Sequence, residues 1–249
     1  MSYFQYHNKA IYYQILGSGE PLMFLHGDTA SSQMFTLLLP LYQNDFQIIL
    51  IDFMGCGQSE RVEQFPTELW YDQALQTIAL IEHLDYQNVH LIGTSGGAWS
   101  AMNAVLERPD LFGSVIADSF DGRRLHEHFS EELIQEREFA VNDLMASQFY
   151  QWCQGDDWRD VVERNTLSLL QLVKLQKPLF HKALSCFKNP LLLTGSFEDR
   201  MLRSDLYIEY QKMINIIGHG EICMFKTGNH PAILSNAEEF AEVVKNFIL

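Results

Sequence analysis

The sequence predicts an α/β fold: a mainly parallel sheet flanked by helices, with a helical lid inserted late in the chain. Three observations predict it. Short unbroken apolar runs alternate with longer amphipathic stretches, which is the pattern of buried strands joined by crossover helices. Residues 121–188 break this alternation, carrying several helical patterns and no strand-like run. A Gly-x-Ser-x-Gly turn stands where an apolar strand should pass into a helix.

Taken in order, Ala10 to Leu16 is an aromatic and β-branched strand that stops at Gly17-Ser18-Gly19-Glu20-Pro21. Leu22 to Leu25 is continuously apolar, as expected of a strand covered on both faces, and ends at His26-Gly27. Phe46 to Ile51 is the next strand. Glu68 to Leu84 is a helix, with Leu69, Ala74, Leu75, Ile78 and Ile81 at mixed i+3 and i+4 spacing. Val89 to Ile92, a helix over 97–107, Val115 to Ala117, Pro190 to Thr194 and Ile222 to Phe225 continue the alternation, closed by a helix over about Asn236 to Phe247. Within the interruption, helices are expected over Ser130 to Ala140, Asp143 to Cys153, Asp156 to Leu175 and Leu179 to Phe187, with Ser130 and Asp156-Asp157 placed to cap free amides. The expected division is a core of 1–120 and 189–249 with a helical lid of 121–188 at the carboxyl edge of the sheet, where such folds gather their chemistry.

Composition bounds the function. A chain of 249 residues, 47% hydrophobic and 20% charged, can build one large core, which excludes disordered and collagen-like classes. Its formal net charge of −15 argues against nucleic acid or an acidic membrane as partner and in favour of a small neutral or cationic molecule. No run approaches a membrane span, and the N-terminus lacks the basic start and apolar run of a secretory signal. Cys56, Cys153, Cys186 and Cys223 form no Cys-x-x-Cys pair, so free thiols in a reducing cytoplasm are expected, with no metal and no cofactor. Nothing in the sequence specifies the oligomeric state.

The chemistry concentrates in Gly93-Thr94-Ser95-Gly96-Gly97. A nucleophile on so sharp a turn needs glycines two positions away on either side, so that strand and helix can approach each other. A serine hydroxyl also needs a base held by an acid. Of nine histidines, His230 is preferred because it follows the last expected strand, on the same sheet edge as Ser95. His219 falls at the opposite edge. His126 and His128, two positions apart, would point to opposite sides of a helix and make a poor metal pair. The acid should leave the strand ending at Thr194. Asp199 is favoured over Glu198, with Asp118 and Asp121 behind them. Backbone amides of Asp28 and Gly96 are placed to bind an oxyanion, provided the Asp28 carboxylate turns away, for instance to cap Ser31 or Ser32.

On these residues the sequence resembles the α/β-hydrolase superfamily, in its serine-nucleophile branch with a helical lid. The resemblance rests on Gly17 to Pro21, Leu25-His26-Gly27, Asp52 to Ser59, Gly93 to Gly97, Gly195 to Asp199 and Gly228-Asn229-His230, all in matching order. It implies a triad of Ser95, His230 and Asp199, and makes the Asp52 to Ser59 turn structural. Two departures stand out: an acid loop one residue longer than usual, and Asp28 where a neutral or aromatic residue is more common. A serine hydrolase of a small uncharged ester, carboxylesterase-like, is therefore expected, with amide, thioester or C–C cleavage as variants. The alternative is a ligand-binding or signalling protein on the same fold. The lid aromatics Phe129, Phe139, Phe149, Tyr150, Trp152 and Trp158, with Met34, Trp99 and Met145, are the candidates to line an apolar cleft or, in a third reading, a docking surface.

Overall fold

Apolar runs that do not alternate with polar residues must be covered on both faces, and the central strands are. A computed structural model describes residues 2–249. Its strands are β1 (Ser2–Tyr6), β2 (Lys9–Gly17), β3 (Glu20–Leu25), β4 (Phe46–Ile51), β5 (Val89–Thr94), β6 (Phe112–Asp118), β7 (Leu191–Ser196) and β8 (Glu221–Phe225). The helices are α1 (Leu69–Leu84), α2 (Gly96–Glu107), α3 (Phe129–Asn142), α4 (Leu144–Gln154), α5 (Trp158–Lys174), α6 (Leu206–Ile217), α7 (Ala232–Ser235) and α8 (Ala237–Ile248).

The strands form one eight-stranded sheet in the order β1-β2-β4-β3-β5-β6-β7-β8. Strands β1, β2 and β4 pair antiparallel, and every other neighbour is parallel. Alternation along the strands sorts the core into two layers. Met23, Leu25, Ile49, Ile51 and Leu91 face α1, α2 and α6, while Leu22, Phe24, Ile48, Leu50 and Ile92 face α8 and the segment 30–42. Helices α3, α4 and α5 leave the sheet after β6 and return at β7. Leu133, Leu169 and Leu172 join the first layer, and Ala140, Tyr150, Trp158 and Val162 form a small cluster of their own.

The structure corrects some expectations and adds elements. Residues 179–187 form no helix beyond the short 3-10 turn Leu184–Cys186. Instead the Asn103 side chain of α2 bonds the Leu179 carbonyl and the His181 amide, at 2.8 and 3.2 Å, giving this backbone partners outside any helix. Ser130 does not cap α3, which begins one residue earlier behind His128. Asp157 precedes α5, but its carboxylate pairs with Arg61 and caps nothing. Asp143 does cap α4, accepting from the Ala146 amide at 2.9 Å. Strand β1 and helix α6 were not anticipated. The β1–β2 hairpin turns on His7 and Asn8, both at positive φ, without the Asn-Gly pair that usually marks such a turn.

Candidate active site

Strands β3, β5, β7 and β8 all end at the same sheet edge, so a short loop from each can reach one point. Strand β5 delivers Ser95 at φ 54° and ψ −125°, a conformation an L-residue adopts only under constraint. The constraint is the close packing of the turn: a Cβ on Gly93 would lie 2.1 Å from the Gly97 carbonyl oxygen, and one on Gly97 would lie 2.3 Å from that of Leu25. No other residue fits at either position.

The loop after β8 carries His230, and the loop after β7 carries Asp199. His230 Nδ1 lies 2.7 Å from Asp199 Oδ2, and the other carboxylate oxygen accepts from the Met201 amide at 2.9 Å. The Asp199 side chain is fully buried, while that of His230 keeps 11% exposure. Burial alone would lower the imidazole pKa, but the hydrogen bond and charge of Asp199, with smaller help from Asp118 and Glu136, raise it above the ordinary histidine value. With Nδ1 donating to the carboxylate, Nε2 is the nitrogen left to accept a proton. Ser95 and His230 line one cavity of about 780 Å³.

The rival acids are engaged elsewhere. Glu198 accepts from the Gly228 amide at 3.3 Å. Asp121 accepts from His126 Nδ1 at 2.6 Å and from the Arg203 amide at 3.0 Å. Asp118 is completely buried and accepts from Thr94, Thr194 and Ser119 hydroxyls and from the Ile233 amide. Desolvation outweighs those four donors and pushes its carboxyl up to about 6. Asp118 thereby ties together the strand ends that precede Ser95 and Asp199 and the turn that follows His230.

The loop after β3 supplies Asp28. Its entry is fixed by the fully buried His26: Nε2 accepts from the Phe53 amide at 3.1 Å, which leaves Nδ1 to donate to the Gly27 carbonyl at 2.8 Å. Asp52 anchors the next turn, accepting from the Ser32 and Gln58 amides at 2.7 Å each. Gly27, just before Asp28, lies against Ser95, where a Cβ on it would come 2.9 Å from the Ser95 Cβ, and Gly96 follows Ser95 in the chain, so both expected amides belong to residues next to the elbow. The Asp28 carboxylate does not cap Ser31 or Ser32. It reaches Trp70 Nε1 at 3.1 Å and Asn165 Nδ2 at 3.3 Å, because the Ser32 amide is already taken by Asp52 and two neutral donors stand above the elbow.

Of the aromatic and methionine side chains expected around the cleft, Phe129, Phe139, Phe149, Tyr150, Met34, Trp99 and Met145 line the cavity. Trp152 does not, and Trp158 is buried in the small cluster between α3, α4 and α5. The sequence reading missed Arg137, whose Nη1 donates to Tyr150 OH at 2.6 Å and Thr29 Oγ1 at 3.1 Å and pairs with Glu136 at 2.9 Å. Its signal was a lone arginine among Glu131, Glu132, Glu136 and Glu138. His126 was set aside, yet it reaches the cavity between Asp121 and Glu132. No group of three or more His, Cys, Asp or Glu side chains among the described residues could hold a metal ion. No helix among them is long and apolar enough to cross a membrane.

The model of one family, described as the alpha/beta hydrolase fold, matches residues 20–215. A proline iminopeptidase of Heyndrickxia coagulans is 36% identical over 105 residues, covering 41% of this chain and 36% of that protein. A karrikin insensitive 2 receptor of Petunia hybrida is 28% identical over 148 residues, covering 57% and 54%. The chain thus spans about half or less of the curated relatives it matches. An esterase from Exiguobacterium antarcticum superposes with a TM-score of 0.79 over 99% of this chain and 98% of its own, at 17% identity, a likeness of fold alone.

Proposed function

Because this chain belongs to the alpha/beta hydrolase fold family, we propose that it is a serine hydrolase of small esters or amides, carboxylesterase-like, working through Ser95, His230 and Asp199. The observation that carries this reading is the His230 to Asp199 pair at 2.7 Å on the wall of the cavity that Ser95 also lines. In it, His230 Nε2 takes the Ser95 proton as Oγ attacks the substrate carbonyl, and the Asp28 and Gly96 amides hold the oxyanion. The imidazolium, steadied by Asp199, returns the proton to the leaving group. Water activated by the same imidazole then releases the acyl group from Ser95. Helices α3 to α5 act as a lid over this step, with Phe129, Phe149 and Tyr150 excluding water from the acyl group.

The test is labelling by a fluorophosphonate probe together with turnover of short-chain nitrophenyl esters. Wild type should label at Ser95 and turn over, and Ser95→Ala should lose at least about 10³-fold in kcat while staying folded. A folded wild type that does neither overturns the reading. The match to a plant receptor favours one alternative, a ligand-binding protein on this fold whose lid reports occupancy. Thermal stabilisation by ligand without turnover would select it.

A further inference from the structure

The Asp28 side chain is the part of the candidate site that the hydrolytic chemistry does not use. A Cβ placed on Gly96 would lie 2.6 Å from Asp28 Oδ2, so the carboxyl rests against the residue that follows Ser95. It also lines the cavity. Its hydrogen bonds come from neutral groups only, Trp70 Nε1 at 3.1 and 3.2 Å and Asn165 Nδ2 at 3.3 Å.

Arg137 is the charged group that most favours an ionised Asp28, but its guanidinium makes no hydrogen bond to that carboxylate among the described residues. Arg137 spends Nη1 on Thr29, Tyr150 and Glu136, while its buried Nε has no hydrogen-bond partner among the described residues. The cavity lining sets the carboxylates of Asp28, Asp121, Glu132 and Glu136 against the guanidiniums of Arg137 and Arg200. Asn165, which donates to Asp28 but does not itself line the cavity, is 2% exposed, and its Oδ1 has no hydrogen-bond partner among the described residues. Trp70 and Trp99 add their rings to the same cavity, with centroids 4.2 Å apart and planes 21° from parallel. The Asp28 carboxylate and the indole π-systems of the lining both attract positive charge, and a compact cation with several N–H donors complements them.

We propose that the site takes esters or amides whose acyl part carries a protonated amine, held by the Asp28 carboxylate. This rests on the serine-hydrolase reading above and narrows its substrate class. The chemistry gives the preference a kinetic form. An ionised Asp28 beside the oxyanion site opposes the charge that develops there, and a substrate ammonium seated on Asp28 cancels that opposition. Amine substrates therefore gain in kcat as well as in KM. Uncharged substrates receive no such cancellation and react faster through enzyme whose Asp28 is protonated. Burial favours that form, while Arg137 from α3, Trp70 from α1, Asn165 from α5 and His230 oppose it. The buried Cys56 thiol of the turn after β4 is the remaining titratable neighbour.

The experiment compares isosteric ethyl esters by pH-stat: glycinate against propionate and β-alaninate against butyrate, with monoethyl succinate as the anion. Wild type should prefer the amine in at least one pair by about tenfold in kcat/KM, and take the succinate ester most slowly. Asp28→Asn should bring that ratio to near one, a change that general structural damage, which lowers both members of a pair together, does not produce. Equal rates within both pairs in wild type overturn the proposal without any variant, as does an undiminished ratio in folded Asp28→Asn. Turnover of butyrate and propionate esters without amine preference sinks this inference and leaves the hydrolase reading standing. Failure of all five esters together with an unlabelled Ser95 sinks both.

Discussion

At the scale of single residues, the behaviour of His230 follows from its neighbours. As the base of the proposed triad, His230 must be neutral to accept a proton, and Asp199 raises its pKa against the pull of burial, with Asp118 and Glu136 adding to the rise. Activity should therefore fall as pH drops through a value above 6.5, the ordinary histidine pKa. In Asp199→Asn that acidic limb should move to lower pH and kcat should fall by about 10³–10⁴, as a pH–rate profile of kcat/KM will show. A limb that stays in place would assign the titration to another group. Ser95, His230 and Asp199 could be picked out of the sequence because each is marked by its position relative to a strand end. The direction of the Asp28 side chain could not. It depends on Trp70 and Asn165, which lie 42 and 137 positions away along the chain.

At the scale of elements, one glutamine fastens the end of α4 to the loop that carries Asp28. Gln154 Nε2 donates to the Ala30 and Thr29 carbonyls at 2.7 and 3.0 Å, and its Oε1 accepts from the Gly57 amide at 2.7 Å. Its side chain is nearly inaccessible, so removing the amide strands three backbone groups away from water. Gln154→Leu should cost about 2–4 kcal/mol in urea unfolding with an unchanged slope. Asp157→Ala, which removes only the partly solvated ion pair with Arg61, should cost about 1 kcal/mol or less. Equal losses in the two variants would refute this ranking. The helices α3, α4 and α5 were visible in the sequence as amphipathic stretches. The contacts that fasten them were not, because Gln154 and Arg61 reach chain segments that no local pattern relates to them.

At the scale of the whole molecule, the parallel sheet was legible because β3 to β7 carry apolar runs too continuous for a solvent-facing role. The edges were harder. β1 is short and carries polar residues on one side, and the break at 179–187 is stabilised by Asn103 from another layer. Global stability also records the conflict at the elbow. Ser95 holds a backbone conformation that costs a non-glycine residue about 1–3 kcal/mol, partly offset by the 0.5–1 kcal/mol of chain entropy that glycine would lose. Ser95→Gly should therefore raise the melting temperature by about 2–4 °C while abolishing turnover, as thermal unfolding and an ester assay will show. An unchanged or lower melting temperature would mean that the turn is unstrained. Gly93 and Gly97 stand differently, since no side chain fits at either whatever the protein does for a living. In a lineage released from the chemistry, those two glycines would persist as a fossil of the architecture, and position 95 would drift first.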